Sequence, residues 1–129
     1  MAVFEVVVDS SVWIDVLNEK PSADLEDVLA RGVAVIPPIV VAELVAGAST
    51  VRHREALEEL LQEIVVHETS LQHWIEVGDL RRRLKHAGVT VTVPDAHVAQ
   101  TAIDRRALLL TRDAIFLKIA KHSALRLYS

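Results

Sequence analysis

Apolar residues fall along this chain in short runs separated by longer segments with helical spacing. The run at residues 3–8, "VFEVVV", is β-branched and stops at Asp-Ser-Ser, which predicts a short buried strand. "VAVI" (33–36), "IVVH" (64–67) and "ALLLT" (107–111) read the same way, and "LRLY" (125–128) is a candidate last strand. Between them lie segments with helix start and stop signals. Ser10 or Ser11 can cap a first helix running to about Asn18, and Pro21-Ser22 opens a second that Gly32 ends. Pro37-Pro38 starts a third, stopped near Gly47, and Thr50 begins a fourth, "TVRHREALEELLQE". A long helix is expected from about Ser70 to His86, because Val77, Leu80, Leu84 and Ala87 keep helical spacing before Gly88. Pro94 opens another through Arg105, and residues 113–121 form a last one. Apolar strands alternating with helices predict an α/β fold: a parallel sheet of four to five strands flanked by helices on both faces. With no internal repeat, linker or low-complexity segment, residues 1–129 read as one domain.

Composition narrows the classes. Hydrophobic residues make up 51% of the 129 positions, enough to fill one core. There is no cysteine, so neither a disulfide framework nor a Cys-ligated zinc site is available. "VAVIPPIVVAELVAGA" holds two prolines and Glu43, too interrupted for a membrane span, and "MAVFEVVV" lacks the basic start of a signal peptide. A cytoplasmic protein without membrane attachment is expected. The net charge of −4 does not favour a polyanion, so a nucleic-acid ligand would need a local basic patch or a metal ion.

The chemistry concentrates in four acids. Ligands of open α/β sheets bind beyond the carboxyl ends of the strands. Asp9 lies just past the first strand and Asp113 just past "ALLLT", so their carboxylates converge if those strands are neighbours. Taken alone, each is more simply a helix cap or a solvated turn. Glu43 sits in "IVVAELVAG", on or beside an apolar stripe. Either it is buried and needs a cation, or it reaches water from the edge of the stripe. Asp95 follows the proline that opens a helix, where the helix N-terminus alone would favour it. Gathered together, the four would repel one another, a conflict that a hard divalent cation removes. Oxygen-only donors favour magnesium or manganese over zinc.

The ordered set resembles the PIN-domain nucleases, and among them the VapC toxins of toxin–antitoxin pairs. A strand ending in Asp with Ser/Thr and Ser/Asn after it matches "VVVDSSVWIDVL", and a Glu in an apolar helix matches "VVAELVAG". An Asp opening a late helix matches "PDAHVAQTA", and Thr-x-Asp followed by Phe matches "LLTRDAIF" at Thr111, Asp113 and Phe116. Many relatives carry a further Asp two residues beyond the last motif acid, where this chain has Ile115. The resemblance implies metal-dependent hydrolysis of RNA phosphodiesters by an endoribonuclease using one or two magnesium or manganese ions. It implies that Asp9, Glu43, Asp95 and Asp113 are catalytic residues holding the metal. Ser10, Ser11 and Thr111 would orient the carboxylates, and Arg112 would contact substrate. It also implies a homodimer neutralised by a VapB-like antitoxin, whose segment would lie in a groove between the Trp-bearing first helix and the third.

Other features are weaker. "DLRRRLKH" (79–86), "TVRHR" (50–54), Arg105, Arg106 and Arg112 could form a phosphate-binding rim, although charged helical faces are usually only solvated. The six histidines show no ligand spacing, and His97, nearest the acids, is expected to be packed or solvated. Trp13 and Trp74 read as core or interface residues, and Asp15 and Asp104 as surface acids. A phospho-accepting receiver module would need paired acids after the first strand, an Asp after the third and a late Lys, and these are missing. A metal-binding adhesion module with Asp-x-Ser-x-Ser finds Trp13 at the last Ser position. A catalytically weak PIN scaffold would not need the intact acid quartet.

Overall fold

The structure is a computed structural model that describes residues 4–129. Val3, at the start of the expected first strand, lies outside the described residues. Five short strands form one parallel sheet: β1 (Val6–Val8), β2 (Ala34–Ile36), β3 (Val65–Val66), β4 (Leu108–Leu110) and β5 (Arg126–Leu127). Seven helices connect and flank them: α1 (Ser10–Leu17), α2 (Ala23–Ala30), α3 (Pro38–Gly47), α4 (Val51–Glu63), α5 (Leu71–His86), α6 (Val93–Arg105) and α7 (Ile115–Lys121). Val6, Val7 and Val8 are all buried, as are Ala34, Val35 and Ile36. Successive strand side chains point to opposite faces, so burial of consecutive residues means that both faces of the central strands are covered.

The strand order is β3-β2-β1-β4-β5. The chain steps outward from β1 to β3, then returns to the other side of β1 with β4. The direction of winding therefore reverses between β1 and β4, and a crevice opens beyond their carboxyl ends. β1 and β4 are in register from Val6↔Leu108 to Val8↔Leu110, which carries Asp9 and Thr111 past the sheet edge side by side.

Local signals account for the helix starts. Ser22, Thr50, Ser70 and Thr92 each accept a backbone N–H in the first turn of α2, α4, α5 and α6. The first helix differs from expectation: Asp9, not Ser10 or Ser11, is its N-cap. Strand β1 runs directly into α1 with no intervening loop, so the first extended residue before the helix is the carboxylate itself. Gly88, at φ +86°, turns the chain after α5 in a conformation that a side chain would strain. Helix α6 is the central helix of the molecule. Residues 96–102 are buried in an unbroken run, and the helix packs on α3, α5, α7, β1 and β4.

Trp13 is 1% exposed and belongs to the core with Phe116, Leu25 and Ile36. The expected Trp-bearing groove is corrected accordingly. The surface between α1, α3 and α4 is a cleft of about 150 Å³ lined by Ile14, Leu17, Leu44 and Glu43, without the indole.

Candidate active site

Asp9 is 7% exposed and held from several sides. Its Oδ1 accepts the Ser10 backbone N–H at 2.8 Å, and its Oδ2 accepts the Ser11 hydroxyl at 3.0 Å and the Thr111 hydroxyl at 2.8 Å. Of the two serines, Ser11 acts on Asp9 through its hydroxyl and Ser10 through its backbone. Three donors to one carboxylate fix its rotamer. The lattice continues across the crevice: the Arg112 N–H donates to Ser11 Oγ at 3.1 Å, and the Asp113 N–H to Thr111 Oγ1 at 3.0 Å. Thr111 thus ties β1 to β4 and positions the backbone that presents Asp113. Asp113 Oδ1 accepts the Ile115 N–H at 3.0 Å, which shapes the turn into α7.

Glu43 on α3 and Asp95 on α6 both lie within range of the Asp9 charge. Glu43 reaches water from the edge of its apolar helix, with Val40 and Leu44 buried beside it. Its pKa is raised by partial desolvation and then by the charges of Asp9 and Asp95. Asp95 is raised by desolvation and by the charges of Asp113 and Asp9, against a hydrogen bond from Thr92 that lowers it. Glu43 therefore stands in the field of Asp9 and Asp95, and Asp95 in that of Asp9 and Asp113, with the four acids delivered by four separate segments. They are not in ligand contact: among the described residues, the group with candidate ligand atoms within 4.8 Å of one another is His67, His73 and Asp104. The donor set suits a hard divalent ion, because it is all oxygen, mutually repulsive and anchored on a rigid Asp9.

Arg112 does not face the acids freely. Its Nε pairs with Asp15 Oδ2 at 2.7 Å, so Asp15 sets the position of the guanidinium at the rim. The broader basic rim is partly dismantled by ion pairs. Arg105 is committed to Glu5 through two bonds of 3.0 and 2.8 Å, Arg54 to Glu58, and Arg82 to Asp79.

The histidines form a cluster that their spacing did not reveal. His73 Nδ1 lies 2.6 Å from Asp104 Oδ2, and His73 Nε2 lies 2.7 Å from His97 Nδ1. His97 is fully buried, stacked on Trp74 with ring centroids 4.7 Å apart, so the packed reading of His97 holds. Asp104, expected to be a surface acid, is a hydrogen-bonding partner in this cluster. The large cleft between α5 and α6, about 540 Å³, borders Asp104, Gln100 and Glu76 rather than the acid crevice.

Comparison with known proteins agrees with this architecture. The PIN domain family profile matches residues 6–122. No curated protein sequence matches the chain. Among solved structures, a chain of DNA-bound VapBC from Salmonella typhimurium is similar at 21% identity, with 98% of both chains covered and a TM-score of 0.83. VapBC2 from Rickettsia felis bound to a promoter DNA fragment is similar at 22% identity, covering 95% of this chain and 96% of that one, with a TM-score of 0.76. VapBC-1 from nontypeable Haemophilus influenzae gives 23% identity, 96% coverage of each chain and a TM-score of 0.75. With the family profile spanning nearly the whole chain and the fold shared along its length, the chain belongs to the PIN domain family.

Proposed function

We propose that this protein is a divalent-metal-dependent endoribonuclease, the toxin half of a VapBC-type pair, acting on RNA phosphodiester bonds. The observation that supports the reading is Asp9, held by three donors at the β1/β4 reversal point and close enough to Glu43 and Asp95 for its charge to act on both. Asp9, Glu43, Asp95 and Asp113 would hold magnesium or manganese. When bound, the ion supplies a more acidic water and neutralises charge at the scissile phosphate. Ile115 brings no carboxylate to the turn where many relatives carry one, so the ligands available are the four acids themselves.

The rest of the chemistry belongs to the chain. Asp9 is a fixed anchor, because its donors would have to break before it could rotate. Thr111 and Ser11 hold the backbone at Arg112 and Asp113. Arg112, tethered by Asp15, places a positive charge at the rim where a phosphate backbone would pass. The α1/α3/α4 cleft is apolar at Ile14, Leu17 and Leu44 and includes Glu43, so it suits a VapB-like antitoxin segment with an apolar anchor and a basic residue directed at the acids. No described helix is long and apolar enough to cross a membrane. A cytoplasmic homodimer is part of the same proposal.

The test is cleavage of single-stranded RNA by purified protein with magnesium or manganese, with excess EDTA, and with Asp9→Asn. Cleavage that needs metal and disappears in Asp9→Asn, with circular dichroism unchanged, supports the proposal. Undiminished cleavage in EDTA would overturn it.

A further inference from the structure

We infer that His67, His73 and Asp104 form a second metal site, one suited to zinc and distinct from the acid crevice. The three residues come from three elements: His67 directly follows β3, His73 lies in the first turn of α5, and Asp104 in the last turn of α6. Each offers a ligand atom, and these atoms all lie within 4.8 Å of one another. Asp95 opens α6 and Asp104 closes it, a separation of about 13 Å of helix rise.

The donor set selects the ion. Two imidazoles and one carboxylate suit zinc better than magnesium or manganese, and three protein ligands leave a position for water. His73 is 3% exposed and His67 9%, so both rings are withdrawn from solvent and fixed by packing. Their supports are already in place. Gln100 Nε2 donates to Asp104 Oδ1 at 2.8 Å, which leaves Oδ2 turned toward His73 Nδ1. A metal-binding imidazole needs its other nitrogen held, and His97 Nδ1, 2.7 Å from His73 Nε2, is placed to accept that N–H. Arg105 approaches His67 Nδ1 at 3.3 Å, but its charge is matched by the paired Glu5.

In the metal-free protein the hydrogen bond between His73 Nδ1 and Asp104 Oδ2 occupies the position of the ion, and on zinc binding that 2.6 Å contact opens to the roughly 3.3 Å between ligands of a tetrahedral ion. The α5/α6 cleft that reaches Asp104 offers a path from solvent. The consequence is mechanical. β3 is a two-residue edge strand whose valines are exposed, and the ion would pin the residue after it to the α5–α6 pair.

The experiment is a titration of untagged, metal-stripped protein with zinc by calorimetry and with cobalt(II) by visible absorption. Both are run in millimolar magnesium, so that the acid crevice is occupied. One equivalent per chain is expected, with the intense visible bands of a tetrahedral cobalt site. His67→Gln and Asp104→Asn should each weaken binding by at least about tenfold, while Asp9→Asn should bind as the wild type does. Zinc should raise the thermal midpoint of wild type and Asp9→Asn and leave His67→Gln unmoved. If one variant fails to fold, the other variant and the zinc-induced shift of the His73 ring nitrogens in wild-type NMR decide. Absence of zinc binding to wild type overturns the inference, as does equal affinity in both ligand variants or loss of the site in Asp9→Asn.

Discussion

Acidification should destabilise this protein through one buried ring, and the structure sets the size of the effect. His97 is fully buried, and its pKa falls to about 4 because desolvation disfavours the imidazolium, with His73 and His67 adding repulsion against the opposing pull of Asp104. In the unfolded chain its value returns to the ordinary 6.5. A group with a depressed cationic pKa favours proton binding by the unfolded state, so stability is lost as pH falls from about 6.5 toward 4. The full difference corresponds to about 3 kcal/mol, of which roughly 2 kcal/mol falls between pH 7 and pH 5. His67, also lowered, acts in the same direction. Glu43 and Asp95 act oppositely: their raised carboxyl values make the folded state take up protons first, so they add stability as pH falls toward their unfolded values. Comparison with His97→Asn separates these contributions, since the amide keeps a polar atom near His73 Nε2 and cannot titrate. Urea melts in excess EDTA at half-unit steps from pH 7.5 to 4.5 would measure both proteins. The wild type should lose about 2 kcal/mol more than the variant between pH 7 and pH 5. Parallel stability curves for the two proteins would refute the argument, because His97 would then not be held neutral.

Two further outcomes follow from the crevice. Glu43→Gln should leave the metal-free protein as stable as wild type or more so, since it removes a charge that Asp9 and Asp95 repel. Magnesium at a hundredfold excess over its dissociation constant should add roughly 2.7 kcal/mol to the wild type and much less to the variant, as read from paired urea melts at low ionic strength. Thr111→Val removes the hydroxyl that donates to Asp9 and accepts from the Asp113 N–H. It should cost roughly 2 kcal/mol in the same assay and reduce cleavage further, and a loss within about 0.5 kcal/mol would show that the Asp9 lattice is dispensable.

Apolar runs and caps were sufficient to place the elements to within a residue or two, except at the start of β1, where Phe4 and Glu5 of the expected strand lie outside it. Val6–Val8, Ala34–Ile36 and Leu108–Leu110 each lie within an expected strand, and Thr50 and Ser70 cap the helices they were expected to begin. These are local decisions: β-branching, a hydroxyl and a fixed φ act on their immediate neighbours. The same locality exposed Asp9 and Asp113, because a carboxylate just past a buried strand is visible without knowing what lies opposite. Partnership was not visible. Which strand flanks β1 decides whether Asp9 meets Thr111, 102 positions away, and Arg105 finds Glu5 across 100 positions. His67, His73 and Asp104 have no periodic relation, so no spacing rule could join them. They meet because the turn after β3 and the facing ends of α5 and α6 converge. Trp13 was ambiguous for the same reason. An apolar side chain on a helix is drawn into a core or left for a partner according to what packs against it, and here the assembled core encloses the indole before any groove can use it.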